Sequence, residues 1–186
     1  MAKAGGVRRL MRPGVLLSLV ILGVVGAVAV MMARRDTPKR GGYVVAPGPL
    51  QRPIERRLRG LRRAGLELAR VMRTDPALHT DGVRLGAALT RAEMRAGGPP
   101  EWEHVASVEG KGDLLQMCVV ADGALVPWTD SWYVFVHELA HIISVSEGHT
   151  PEFHAKFKQL RRVAAAHGMM SDAAPEPRRY CGVDFA

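Results

Sequence analysis

Five consecutive residues of this chain, His137-Glu138-Leu139-Ala140-His141, form a known metal-binding pattern. On a helix, positions i and i+4 project from the same face, so His137 and His141 can hold one metal ion together. Glu138 would then lie beside the ion, where a carboxylate can take a proton from a water whose pKa zinc lowers to about 7. The pattern is typical of a zinc peptidase centre.

The flanking residues predict that this run lies on a helix. Apolar residues recur at steps of four, three and four, as on the buried face of a helix, and they are Trp132, Val136, Leu139 and Ile143. The stripe is preceded by Pro127, Thr129 and Asp130, which offer a break followed by a candidate N-cap. The two histidines would form a second row beside the buried one.

His149 is the predicted third ligand, because a catalytic zinc site has three protein ligands and one open position. Gly148 lets the chain turn before it, and residues 150–152 (Thr-Pro-Glu) resemble the first turn of a new helix. His149 would therefore be fixed in a short link between two helices. Glu147 and Glu152 are the rival ligands.

Strand-like segments precede the motif. Apolar residues at 114–120 and 125–126 flank Asp122-Gly123, and Asp-Gly between apolar runs is a hairpin signal. An exposed edge strand beside the metal would let a peptide add as a further strand. Cys118 and Cys181 are either two thiols or one disulfide, because their spacing carries no information on connectivity.

The motif and the segment after it resemble the zinc core of the SprT/Spartan-like and WLM metallopeptidases. Those families place Gly-His, and a Phe four residues further on, after the first two histidines, as Gly148, His149 and Phe153 do here. Metallopeptidases encoded by large DNA viruses are similar in this run and in a terminal Tyr-Cys-Gly, which residues 180–182 supply. The likeness covers about residues 110–186.

This resemblance implies a zincin-like α+β fold, with a small antiparallel sheet and an active-site helix. It implies Zn²⁺ held by His137, His141 and His149, with Glu138 as general base and acid. Tyr180 is a separate candidate, because a phenol can donate a hydrogen bond to a developing oxyanion, although a terminal Tyr more often packs.

We expect the chain to be a membrane-anchored, zinc-dependent endopeptidase that acts on a protein or peptide substrate. Two alternatives stay open. One is a catalytically inactive, membrane-tethered zinc-binding interaction module, although a purely structural site has no need of the carboxylate at Glu138. The other is a DNA-associated protease of the Spartan kind.

Residues 14–32 carry no charge and are long enough to span a bilayer as a helix. A cleaved signal peptide is the alternative, because Arg8, Arg9 and Arg12 precede the run and Ala-Val-Ala at 27–29 resembles a cleavage site. The run exceeds the usual signal-peptide core, so we predict a single-pass membrane protein with the lipid bilayer as partner. The viral resemblance would make this a host or virion membrane.

The net charge of +8 is unevenly distributed. Residues 1–63 hold fourteen Lys/Arg and two Asp/Glu, whereas residues 64–186 hold twelve and sixteen. The basic flanks suit anionic lipid headgroups; nucleic acid and a merely solvated helix face are the alternatives. The predicted order is a basic segment (1–13), a transmembrane anchor (14–32), a basic and Pro/Gly-rich linker (33–53) and the zincin-like metallopeptidase domain (54–186).

Overall fold

The computed structural model describes residues 41–98, 104–171 and 175–184. Within these ranges the chain is α+β, which confirms the predicted class. The helices are α1 (Gln51–Met72), α2 (His79–Arg91), α3 (Trp128–Ile143) and α4 (Pro151–Ala166). The strands are β1 (Tyr43–Val44), β2 (Glu93–Ala96), β3 (Ala106–Glu109), β4 (Leu114–Met117), β5 (Val120–Ala121), β6 (Ala124–Leu125), β7 (Arg179–Tyr180) and β8 (Val183–Asp184).

The main sheet has the strand order β1-β2-β4-β3. The β1–β2 and β2–β4 pairs are parallel and only β3–β4 is antiparallel. The sheet is small, as predicted, but it is mixed where an antiparallel sheet was expected. The β1–β2 pair is parallel because α1 and α2 form a crossover between these strands, which returns the chain in the same direction. This order leaves β3 at one edge, and it brings β1 into the sheet from the segment predicted as linker.

Helix α1 supports the motif-bearing helix through its buried face. Leu58, Leu61 and Leu68 are fully buried, as the apolar spacing of an amphipathic helix predicts. Gly65 lies where α1 meets α2 and α3: a Cβ at this position would stand 2.8 Å from Leu89 Cδ1 and 3.0 Å from Phe135 Cε1. The missing side chain therefore lets three helices approach closely.

Helix α3 confirms the helix predicted for the motif. Its apolar stripe is buried to 0–1% exposure, and its members are Trp132, Val136, Leu139 and Ile143. The helix begins at Trp128, so Asp130 lies in its first turn and not at the N-cap. At the other end the Ser144 hydroxyl donates to the carbonyl oxygen of Ala140 over 2.8 Å, which closes the last turn.

Two hairpins complete the described fold. β5 and β6 pair around Asp122 and Gly123, whose φ angles of 51° and 74° confirm the predicted Asp-Gly turn. β7 and β8 form a hairpin at the C-terminal end. A disulfide joins Cys118, after β4, to Cys181 in the second hairpin, and this settles the pairing that the sequence leaves open.

The membrane assignment needs correction. Among the residues that the structure describes, no helix combines the length and apolar character needed to cross a bilayer. The single-pass localisation, including a host or virion membrane, is therefore not retained. Residues 14–32, on which that prediction rested, lie outside the described residues, as do the predicted boundaries at 13 and 32.

Candidate metal centre

Helix α3 presents His137 and His141 one turn apart on the same face. Their ring centroids are 5.1 Å apart, as expected for side chains at i and i+4. The C-terminal end of α3, which carries His141, is fixed from outside the helix. Arg84 of α2 donates to the carbonyl oxygen of Ile143 over 2.9 Å. The Lys111 ammonium donates to the carbonyl oxygen of His141 over 3.3 Å.

His149 lies in the loop between α3 and α4, and its side chain approaches those of His137 and His141. Gly148, with a φ of 73°, provides the turn before it. The Glu152 carboxylate braces this loop by accepting hydrogen bonds from the Val145 amide (2.8 Å), the Ser146 amide (3.0 Å) and the Ser146 hydroxyl (2.6 Å). These bonds lower the pKa of Glu152 to about 2. Glu152 therefore holds the loop and does not belong to the histidine group, whereas His149 lies beside the other two histidines.

The three histidines form a compact group of ligand atoms. His137, His141 and His149 each offer one ring nitrogen, and these nitrogens lie within 4.8 Å of one another. The Nε2 atoms of His137 and His149 are 2.9 Å apart. Tetrahedral coordination at about 2.0–2.1 Å separates two ligand nitrogens by about 3.3 Å, so this cluster fits a metal ion with small adjustments.

Phe153 is the common packing partner of the cluster. It is 1% exposed, lies in the first turn of α4 and stacks on His141 with ring centroids 4.2 Å apart. Its centroid lies 4.7 Å from those of both His137 and His149. The Thr150 hydroxyl caps α4 by accepting a hydrogen bond from the Phe153 amide, which fixes this ring in place. Phe153 therefore limits the rotamers that all three imidazoles can adopt.

Burial keeps the two helix histidines neutral. It lowers the pKa of His137 to about 3, with a further contribution from the neighbouring histidines. Burial also lowers the pKa of His141 to about 4, and His149 and Lys111 act in the same direction. A neutral imidazole is the form that binds a metal, so both side chains are ready to act as ligands at neutral pH.

Glu138 is 5% exposed and lies beside the histidines. Burial raises the pKa of its carboxyl group to about 8, because the charged form loses its hydration. A cation at the neighbouring histidines would favour the ionised carboxylate and lower this pKa. Glu138 is thus a proton-binding group whose charge would respond to a cation held by the adjacent histidines.

A cavity of about 640 Å³ opens over this group. All four residues of β3 line it, opposite His137, Glu138 and His149. Lys111 also lines the cavity, and no local pattern in the sequence marks this turn residue as one that contacts a helix thirty positions later. Glu147 lines the cavity too, but it does not belong to the histidine group.

Tyr180 lies apart from this cavity lining. It is 1% exposed, and its hydroxyl donates a hydrogen bond to the carbonyl oxygen of Cys118. Burial raises the pKa of its phenol well above the usual range. The structure thus assigns the Tyr180 hydroxyl a contact that fixes the C-terminal hairpin, and its catalytic role stays a prediction.

Protein-family models, curated proteins and solved structures all fail to match this chain. The resemblance to the SprT/Spartan-like and WLM metallopeptidases therefore stays a prediction from the motif. The geometry establishes a coarser property: three adjacent histidines that could hold a metal ion, beside a buried carboxyl group and an open cavity.

Proposed function

We propose that this chain is a zinc-dependent endopeptidase with a zincin-like fold. The observation that carries the proposal is the convergence of three imidazole nitrogens within 4.8 Å at a cavity that buried Glu138 also lines. Zinc is the metal of choice because three histidines with one open position form a common catalytic donor set for this ion. A site that only stabilises the fold has no use for an adjacent carboxyl group.

His137, His141 and His149 would hold the zinc. When bound, zinc would polarise the scissile carbonyl and lower the pKa of water at the open position. Glu138 would accept a proton from the attacking water and later deliver it to the leaving amine. One group would thus act first as general base and then as general acid. Glu138 is 5% exposed and lines the cavity, so its proton exchange would take place there.

The substrate would be an extended peptide that pairs with β3. Among the described residues this strand pairs with β4 alone, so its other edge is available for backbone pairing at the cavity. Addition of a peptide as a further strand would use this edge and lay its backbone beside Glu138. Main-chain pairing of this kind is largely independent of sequence, so selectivity must come from side-chain pockets.

The first experiment replaces Glu138 by Gln and measures both zinc content and hydrolysis of denatured casein. We expect one zinc per chain in wild type and variant, and a loss of hydrolysis of about 10²–10⁴-fold, the usual contribution of a general base. Glu67→Gln, the same chemical change on the exposed face of α1, is the control. Zinc binding without hydrolysis in the wild type would instead favour the interaction module.

A second experiment tests the third ligand. His149→Ala should weaken zinc binding by more than the roughly 10–100-fold that loss of an outer-shell partner costs. His154→Ala is the matched control, because this exposed histidine is on the neighbouring helix with its ring 6.3 Å from that of His149. Equal zinc affinity in all three proteins, measured by competition with a chelator, would remove His149 from the ligand set.

A further inference from the structure

A second cavity, of about 560 Å³, adjoins the first at the metal face. The two cavities share His137, Glu138 and His149 in their linings. A peptide that crosses Glu138 along β3 must therefore pass the mouth of the second cavity. Its volume lies within the range of about 300–1,000 Å³ that is usual for ligand pockets.

The second cavity is predominantly apolar away from the shared face. Three aromatic rings from α3 and α4 line it: Tyr133, Phe153 and Phe157. The Tyr133 and Phe157 rings meet edge to face with centroids 5.4 Å apart, so this lining is a fixed aromatic surface. Val105, Val134 and Val183 add aliphatic surface. Burial of an apolar side chain there would be favourable by the area it removes from water.

The C-terminal segment forms one wall of this cavity. Val183 of β8 and Glu176, just before the hairpin, both line it. The hairpin is held at two neighbouring points: Cys181 by the disulfide to Cys118, and Tyr180 by the hydrogen bond to the Cys118 carbonyl. The Cys118 amide in turn donates to the carbonyl oxygen of Val105 over 2.8 Å. Cys118 thus fixes two walls of the cavity relative to each other.

We propose that this cavity is the selectivity pocket of the peptide cleft, that it takes a large apolar side chain, and that the Cys118–Cys181 disulfide sets its shape by holding the C-terminal wall. The inference rests on the proposed peptide-binding function. It adds a substrate class: extended segments with an aromatic or branched aliphatic residue next to the cleaved bond. It also assigns Val183 and the disulfide a positioning role that the motif does not reveal.

The test is a binding measurement on the zinc-loaded Glu138→Gln protein, in which the peptide stays intact. Two fluorescein-labelled decapeptides of Gly, Ser and Ala are compared, one with a single central Phe and one with Ala at that position. A single large residue lets the peptide choose its own register. We expect the Phe peptide to bind at least about tenfold more tightly by fluorescence anisotropy, as a well-filled apolar pocket allows. Equal affinities would overturn the pocket.

Two valines provide a matched pair of variants for the wall. Val183 and Val44 are each 43% exposed and each lies in a two-residue strand, but only Val183 lines this cavity. In the Glu138→Gln background, Val183→Asp should bring the ratio of the affinities for the Phe and Ala peptides towards one. Val44→Asp should leave this ratio unchanged. A preference that is equal in both variants would remove the C-terminal wall from the pocket.

The disulfide is tested by the double variant Cys118→Ser/Cys181→Ser in the same background. We expect a weaker preference for Phe with zinc content unchanged, because the three histidines lie on α3 and in the loop before α4. An unchanged preference would overturn the disulfide's role.

Cleavage of the same peptides by the wild-type protein distinguishes the apolar pocket from the peptidase activity. Cleavage without any apolar preference would overturn the pocket but retain the peptidase. A binding preference for Phe without cleavage would support the pocket and contradict the peptidase.

Discussion

The Tyr180 hydroxyl donates a hydrogen bond to the carbonyl oxygen of Cys118, and both groups are buried. The same phenol is a candidate oxyanion donor by its chemistry, so one residue has two competing roles. The two roles differ in what they require. An oxyanion donor must face the cavity, whereas a structural donor needs only a buried acceptor.

Tyr180→Phe separates these roles. The change removes the hydrogen bond to the buried Cys118 carbonyl, which should lower the free energy of unfolding by about 1–3 kcal/mol. If the role is structural, hydrolysis measured well below the unfolding temperature should change little. A drop in kcat with KM and stability unchanged would instead establish the oxyanion role. Denaturant unfolding and steady-state kinetics on the same preparation provide both numbers.

The relative position of His137 and His141 is the part of the candidate site that follows most directly from the sequence. Their relation is local, because an α-helix fixes side chains at i and i+4 whatever surrounds it. His149 needed a further assumption about the turn before it, and the φ of Gly148 agrees with that assumption. Lys111, which holds the carbonyl of His141, could not be found in this way, because its contact joins residues thirty positions apart.

Among the elements, the loop between α3 and α4 depends on one carboxylate. Glu152 accepts three hydrogen bonds from Val145 and Ser146, and its pKa falls from an ordinary 4.5 to about 2. A carboxyl group with a lower pKa in the folded chain stabilises the fold above its unfolded pKa. That stabilisation disappears as the pH falls through the folded value.

Glu152→Gln should therefore lower the stability of the chain at neutral pH. The difference between wild type and variant should shrink as the pH falls from about 4.5 to about 2. Glu147→Gln, the same change at an exposed position of the same loop, is the control. Urea unfolding at several pH values measures this, and a difference that is independent of pH would contradict the assigned pKa.

The contact of α1 with the other helices depends on the absence of a side chain at Gly65. Gly65→Ala would bring a methyl group within 2.8 Å of Leu89 and 3.0 Å of Phe135, so we expect a loss of about 1–3 kcal/mol in stability. Gly86→Ala in α2 is the control, because its Cβ would find its nearest neighbour at 3.8 Å. This second change should stabilise the chain by up to about 1 kcal/mol through helix propensity.

Thermal or denaturant unfolding of the two glycine variants checks this prediction. Opposite signs are expected, although the chemical change is identical. Equal effects would mean that α1 does not approach α2 and α3 as closely as the structure describes.

For the whole molecule, the disulfide joins two segments 63 residues apart in the sequence. The bond encloses α3, α4 and all three histidines within one covalent loop. The double variant Cys118→Ser/Cys181→Ser should lower the free energy of unfolding by about 2–4 kcal/mol, mainly because the unfolded chain gains freedom. Wild type in excess dithiothreitol should unfold at the same urea concentration as the double variant. Unchanged stability in both would contradict the pairing.

Properties that depend on local geometry could be predicted from the residues alone. The four-three-four apolar spacing defines α3, the i and i+4 histidines share its face, and Asp122-Gly123 forms a hairpin turn. Each of these follows from the backbone conformation of a few consecutive residues. The same local reasoning identified Glu138 as the carboxyl group beside the histidines.

The contacts between distant segments came from the folded chain. It made the sheet mixed, placed β3 at the edge that faces the histidines, and joined Cys118 to Cys181. It also brought Val183 to the second cavity and turned the Tyr180 hydroxyl to Cys118. These contacts depend on strand order and helix packing, and neither can be predicted from the spacing of residues along the chain.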